Sequence, residues 1–320
     1  MELNIGVDLG GTNLVIGLVE GESNILAKKQ TATNAGRPAE SIVEDIDRLS
    51  REAAAEAGVD FADIRSIGFG STGIANSTTG RMEFAANLFW SDVPIRDLIS
   101  GLTGKPVFID NDANAAAYGE HLAGAGKDAD ISMTLTIGTG IGTGLVIRNE
   151  IYRGFNFAGM EAGHMVIIQD GRPCKCGRKG CYERYASASG LIYTTGEFMD
   201  EDPASSLWTA CEGEKIRLNG RLIFDAADAG DATALRAVDT FIGHLACGVT
   251  SLLNMFQPEI LAVGGGISAQ GERILAPVRE IVSRELYSRF GKNHAKIVKA
   301  ELGNDAGIIG TANLWKEGIK

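Results

Sequence analysis

The chain has 320 residues, 44% of them apolar and 22% charged, and a formal net charge of -11. That length buries a large core and makes two domains the natural expectation, while the acidity argues against a protein that grips a nucleic-acid backbone, which needs a basic face. No run approaches the roughly 18 uninterrupted apolar residues of a membrane-spanning helix, and the start, MELNIGVDLGGT, lacks the basic and apolar regions of a secretory signal, so a cytoplasmic location is expected.

In chain order, residues 3–7 read as a strand that runs into DLGGTN (8–13) and then into a second apolar run, LVIGLV (14–19). This is a hairpin whose turn exposes backbone N–H groups. Gly10 and Gly11 allow those groups to approach an anion closely, Thr12 adds a hydroxyl donor, and Asn13 closes the motif. Asp8, just before the glycines, sits where a carboxylate holds Mg²⁺, usually through water. The motif is not a Walker loop, since no G-K-[ST] follows, nor a Rossmann fingerprint, since GGTNLVIG continues as a strand.

Residues 39–58 read as an amphipathic helix ending at Gly58, and 64–74 as a strand and glycine turn that includes Gly73. Residues 106–124 read as a strand followed by an alanine-rich helix, with Asp110, Asn111 and Asp112 at the junction, where Asp and Asn are also favoured as helix caps. TIGTGIGTG (136–144) follows a strand at 131–137 and leads into LVI (145–147), so it repeats the first device with Gly138, Thr139 and Gly140. Residues 186–199 and 231–259 read as helices, the second long and apolar on one face. A strand at 259–263 enters VGGGIS (263–268), and a final helix is expected at 306–318. Strands alternating with helices imply an α/β architecture.

Three of the five cysteines fall in the stretch GHMVIIQDGRPCKCGRKGCYE (163–183). His164, Cys174, Cys176 and Cys181 follow the order H-x9-C-x-C-x4-C, which suits a closed tetrahedral Zn²⁺ site of structural type. Gly177 and Gly180 supply the turns that so short a spacing needs. A zinc knuckle for nucleic acid is disfavoured by the acidic charge and the lack of interleaved aromatics. Cys247, on the long apolar helix, reads as core packing.

DLGGTN, DNDANAAAYGE, TIGTGIGTGLV, EAGHM…CKCGRKGCYE and PEILAVGGGIS, taken in that order, resemble the sugar kinases of the ROK family, within the actin and hexokinase superfamily. The resemblance covers essentially the whole chain. It implies a two-domain actin-like ATPase (ribonuclease H-like) fold with the active site in the interdomain cleft. Residues 1–115, completed by a C-terminal helix at 306–320, would form the small domain, and 116–305 the large one.

The same resemblance makes Asp112 the catalytic base and Asn111 a hydroxyl-binding amide. It places Gly73, Asn87, Glu161, His164 and Glu183 around the sugar. The loops at Asp8–Asn13 and Gly138–Gly140 would grip ATP phosphates, and Gly264, Gly265 and Gly266 would lie against the adenosine. The implied reaction is ATP-dependent phosphorylation of a hexose at its 6-hydroxyl, with Mg²⁺ at the phosphates and glucose as first choice, since NLFW, VPIRDLI and DAADAGDATALRAVD resemble the bacterial glucokinase subgroup. Fructose, allose, mannose or N-acetylmannosamine are the alternative substrates. A sugar-responsive repressor of the same family would carry a helix-turn-helix before the first loop, and Asp8 leaves no room for one. A homodimer is implied, with a tetramer as the alternative, and no nucleic-acid or membrane partner.

Overall fold

The computed structural model of the protein describes residues 2–317. Residue 1 and residues 318–320, parts of the expected terminal segments, lie outside the described residues. Among the described residues no helix is long and apolar enough to cross a membrane.

Strand β1 (Leu3–Leu9) pairs antiparallel with β2 (Asn13–Glu20), with Leu9 opposite Leu14, so the DLGGTN glycines form the connecting turn. Strand β3 (Asn24–Ala32) continues the meander, and β4 (Ser66–Ser71) lies parallel to β1 on its other side. Three short strands, β5 (Ile74–Asn76), β6 (Arg81–Ala85) and β7 (Trp90–Val93), form a small antiparallel sheet of their own. Strand β8 (Val107–Asn111) then joins β4 in parallel, giving the sheet order β3-β2-β1-β4-β8.

Helix α1 (Ala39–Glu56) buries Ile42, Val43, Ile46, Leu49 and Ala53, a stripe at helical spacing. It is the helix expected at 39–58, and Gly58 follows it at φ +69°, where glycine costs least. With α2 (Ile95–Thr103) it covers Ile5, Val7, Leu14, Ile16, Ile67 and Phe69 of the sheet. Helix α3 (Asp112–Ala123) starts directly from β8.

A second five-stranded sheet repeats the design. Strands β9 (Ile131–Ile137), β10 (Ile141–Ile147), β11 (Glu150–Ile151), β12 (Ile260–Gly264) and β13 (Lys296–Lys299) are ordered β11-β10-β9-β12-β13. Helices α4 (Glu183–Ala186), α5 (Ala188–Glu201), α6 (Leu207–Ala210), α7 (Gly220–Asp228), α8 (Ala232–Phe256) and α9 (Glu272–Glu285) follow the cysteine stretch. Helix α8 is capped by Asp231, whose carboxylate accepts from Ala234 N at 2.8 Å, and buries Phe241, Ile242, Leu245 and Val249. Cys247 is not in this core: it is exposed, because its position falls on the opposite side of α8 from that stripe.

Within the described part of the expected 306–318 helix, the tail forms α10 (Ala306–Ala312) and then a separate 3-10 turn at Leu314–Lys316. The break falls at Asn313, fully buried, whose Nδ2 donates to the carbonyls of Ile309 and Glu22. Helix α10 lies on glycines. A Cβ at Gly68 would stand 1.7 Å from the Thr311 carbonyl oxygen, and one at Gly6 would stand 2.1 Å from that of Ile308. By chain contact the molecule divides into two compact units, one of Met1–Thr134, Thr143–Met160 and Ala300–Lys320, the other of Leu135–Gly142 and Glu161–Lys299.

Candidate active site

In the first unit, the turn between β1 and β2 is held by its own carbonyls. Gly10 N donates to Asn13 O at 2.9 Å, Thr33 Oγ1 donates to Gly10 O at 2.7 Å, and Thr33 N to Thr12 O at 2.8 Å. Among the described residues the N–H groups of Gly11 and Thr12 have no protein acceptor, which is the arrangement an anion-binding turn needs. Asn87, exposed on a 3-10 turn at Ala86–Leu88, lies directly against this loop: a Cβ at Gly11 would meet the Asn87 Cβ at 3.3 Å.

Asp8, next to last in β1, lies beside the first turn of α10, where a Cβ at Gly307 would stand 2.8 Å from its Oδ2. Burial pushes the Asp8 carboxyl up to about 6, and the charge of Asp112 adds to the shift. Burial also raises Asp112 above the usual carboxylate range, against the lowering effect of the Ala113 N–H. Asn111, not Asp112, caps α3: its Oδ1 accepts from Ala113 N at 2.8 Å and Asn114 N at 3.2 Å, and its Nδ2 donates to Gly73 O at 3.0 Å. The cap therefore leaves Asp112 at the first helical position, with Oδ1 accepting from Ala113 N at 2.9 Å.

In the second unit, the turn between β9 and β10 is closed by Gly138 N donating to Gly140 O at 3.0 Å and is tied to the start of α5 by Ala188 N donating to Gly138 O at 2.9 Å. Gly264 ends β12, and Gly265 follows at φ +82° so near Ile137 that a Cβ would stand 2.4 Å from its carbonyl oxygen. Glu161 is exposed, just before the 3-10 turn Ala162–His164.

His164, Cys174, Cys176 and Cys181 bring one ligand atom each within 4.8 Å of one another. Cys176 Sγ and Cys181 Sγ are 3.5 Å apart, and Cys174 Sγ is 3.7 Å from His164 Nδ1. A tetrahedral Zn²⁺ with bonds of ~2.3 Å to sulfur and ~2.0 Å to nitrogen needs edges of roughly 3.5–3.8 Å; these two separations match that, and the donor chemistry suits the ion. Burial raises the thiols of Cys174, to about 12, and Cys181; a divalent cation among them would reverse that, since coordinating thiols are deprotonated. With Nδ1 turned to the cluster, the Nε2 side of His164 is left for another partner.

Glu183 joins this cluster to the second loop. Its Oε1 accepts from Cys174 Sγ at 3.1 Å and lies 3.7 Å from His164 Nδ1, while a Cβ at Gly140 would stand 2.6 Å from its Oε2. The next residue back, Tyr182, is fully buried and anchors the segment on α8: its hydroxyl donates to Leu245 O at 2.9 Å, and its ring occupies the space where Gly248 lacks a side chain.

Each unit thus assembles its own share of the expected residues: Asp8, Gly10–Asn13, Gly73, Asn87, Asn111 and Asp112 in one, and Gly138–Gly140, Glu161, His164, Glu183 and Gly264–Gly266 in the other. A groove of about 520 Å³ between α9 and β13, lined by Leu253, Arg279, Leu286, Arg289 and Lys296 among others, contains none of them. Sequence reading missed Arg153, which donates to Asp110 Oδ2 at 2.6 Å; nothing in its local sequence marks it, because its partner is 43 residues away.

A family model for the ROK family matches residues 4–318. The chain belongs to the ROK family. It is 37% identical over 318 residues to a glucokinase of Thermotoga maritima, covering 98% of each chain. The crystal structure of a ROK glucokinase from Streptomyces griseus in complex with glucose and AMPPNP matches at a TM-score of 0.84 and 34% identity, over 99% of this chain and 100% of that one. A putative xylose repressor of Caldicellulosiruptor is 33% identical over 313 residues, which is 96% of this chain and 76% of that protein. The fold expected from the motifs, the α/β actin-like ATPase fold, is the fold of this ROK chain.

Proposed function

We propose that this ROK protein is an ATP-dependent hexose kinase that phosphorylates glucose at its 6-hydroxyl. One observation carries the reading: α3 is capped by Asn111, so the Asp112 carboxylate stands at the first helical position with its pKa raised by burial. Kinship over the full chain to proteins named glucokinases supports it.

A sugar hydroxyl is a weak nucleophile, and a carboxylate within reach orients it and accepts its proton as the bond to phosphorus forms. A raised pKa makes Asp112 a better base than an ordinary aspartate. Glu161, His164 through Nε2, Glu183, Asn87 and the Gly73 turn are assigned to the sugar hydroxyls. Main-chain N–H groups of the two glycine loops, at Gly10–Thr12 and Gly138–Gly140, are assigned to the nucleotide phosphates. The oxygen donors of Asp8 suit a hard cation; Mg²⁺ held there would neutralise phosphate charge, while Asp112 is kept for the proton. Zn²⁺ is assigned to the His164 and cysteine cluster as a structural ion. The reading extends to a cytoplasmic homodimer that supplies glucose 6-phosphate to glycolysis.

The test is a coupled ADP-release assay over glucose, fructose, allose, mannose and N-acetylmannosamine. Glucose is expected to give the highest kcat/KM, and Asp112→Asn to lower kcat by at least ~10²-fold with nucleotide binding retained. Sugar binding without ADP release for any of them would instead identify a sugar-responsive regulator, the reading that the repressor relative favours.

A further inference from the structure

Asp110 is 1% exposed and immediately precedes the Asn111–Asp112 pair. It accepts from Asn111 N at 2.7 Å, from the buried Asn114 Nδ2 at 2.9 Å and from Arg153 Nε at 2.6 Å. The guanidinium continues to Glu317, with Nη1 2.9 Å from Oε2, and to Ile151 O at 3.4 Å. Apart from Asn111, none of these partners belongs to a phosphate loop or to the sugar-binding set.

We propose that Arg153 is a positioning residue for phosphoryl transfer, setting the seat of Asp112 with its side chain and the loop that leads to Glu161 with its main chain. The inference rests on Asp112 being the base. Removing one partner of a buried ion pair leaves an uncompensated charge, and here that charge would sit on Asp110, which orders the Asn111 main chain. Asn111 in turn caps α3 and holds Gly73. Release of Asp110 therefore reaches the base through a single residue.

The other end of Arg153 acts through its carbonyl. Gly159 N donates to Arg153 O at 2.9 Å, closing the 153–159 loop two residues before Glu161. The approach is tight, since a Cβ at Gly159 would stand 2.8 Å from that same oxygen. Arginine suits this place because its planar fork can serve Asp110 and Glu317 together, whereas lysine offers one point charge.

The test is steady-state kinetics with glucose and ATP on the full-length protein, comparing the parent with Arg153→Met, Arg153→Lys, Asp110→Asn, and the double variant Asp110→Asn with Arg153→Met. Arg153→Met is expected to lose at least ~10-fold in kcat, since small misplacements of reacting groups cost that much or more. Glucose KM should rise at least ~3-fold while ATP KM stays within ~2-fold, a split that general loss of folded protein does not produce. Arg153→Lys should recover part of kcat, and so should the double variant, in which Asp110 is no longer a buried charge without its partner, although Glu317 still loses the guanidinium.

Parental kcat in Arg153→Met overturns the inference. So does an equal change in both KM values that tracks the melting temperature, with no recovery in the double variant. If Arg153→Met does not fold, Arg153→Lys and the charge-balanced double variant decide: parental kcat and glucose KM in both overturns it. Asp112→Asn is run alongside. Parental turnover in that variant removes the base reading, whereas loss there with Arg153→Met unaffected removes only the role of Arg153.

Discussion

Asp8 and Asp112 are two carboxylates in one unit, each pushed upward by burial, and Asp8 further by the charge of Asp112. The sign of the resulting pH effect follows directly. The proposed base and the proposed metal-holding carboxylate work only when ionised, so kcat/KM should fall as pH drops through about 6, well above the usual aspartate range. For folding the sign is opposite: the native state takes up protons that the unfolded chain does not, so Asp8 opposes folding above about pH 6 and the opposition eases as pH falls toward its unfolded value. Replacing Asp112 by Asn removes one of the two causes, and the Asp8 carboxyl should then titrate lower than in the parent. A ¹³C NMR carboxylate titration reads this, and an unmoved Asp8 midpoint would refute the coupling. At this scale the sequence was legible where chemistry is local. The DNDAN motif marks Asp112, and cap preference marks Asn111. What it could not show is which of the two does the capping, or that Arg153 completes the pair with Asp110, since that contact exists only after the sheet has formed.

At the scale of elements, α10 shows how glycine positions become structural. All seven of its residues are buried, and it lies against the sheet through Gly6, Gly17, Gly68 and Gly70 and against α3 through Gly310 and Gly119. A Cβ at Gly310 would stand 1.7 Å from the Ala115 carbonyl oxygen, a backbone atom that cannot swing away. Gly310→Ala should therefore destabilise by at least ~1–3 kcal/mol, as overpacking does. Gly243→Ala, inside α8 with nothing within 4 Å of its Cβ, should stabilise by roughly 0.5–1 kcal/mol. Urea unfolding of the two variants compares them, and equal effects would show that the close approach is not what excludes a side chain. The long amphipathic helices α1 and α8 were legible because their apolar stripes persist over several turns. Strand β3 and the β5–β7 sheet were not, because they are short or alternate with exposed polar residues, and their pairing depends on partners elsewhere in the chain.

For the whole molecule, the order of His164 and three cysteines pointed to four tetrahedral ligands, and the structure brings one donor atom of each within 4.8 Å of the others. The spacing could not show that Glu183 touches both Cys174 and the glycine loop at Gly140, which makes the cluster a support for two proposed ligand contacts in one unit. Chelation, or Cys176→Ser, should lower melting temperature and glucose affinity together, with metal content followed by elemental analysis. Metal loss with unchanged glucose affinity would reduce the cluster to a staple of the fold. ROK membership over the whole chain was legible because five motifs keep their order, whereas the choice among hexoses rested on a resemblance of short segments alone.

The seating of α10 also bears on biosynthesis. Gly6 on β1 is synthesised about 300 residues before its cover, Ile308 and Thr311. Contacts spanning about 300 residues are slow to form and leave apolar surface open meanwhile. The first unit therefore completes only after the second has been translated, and it is the nascent first unit that most needs a chaperone's protection.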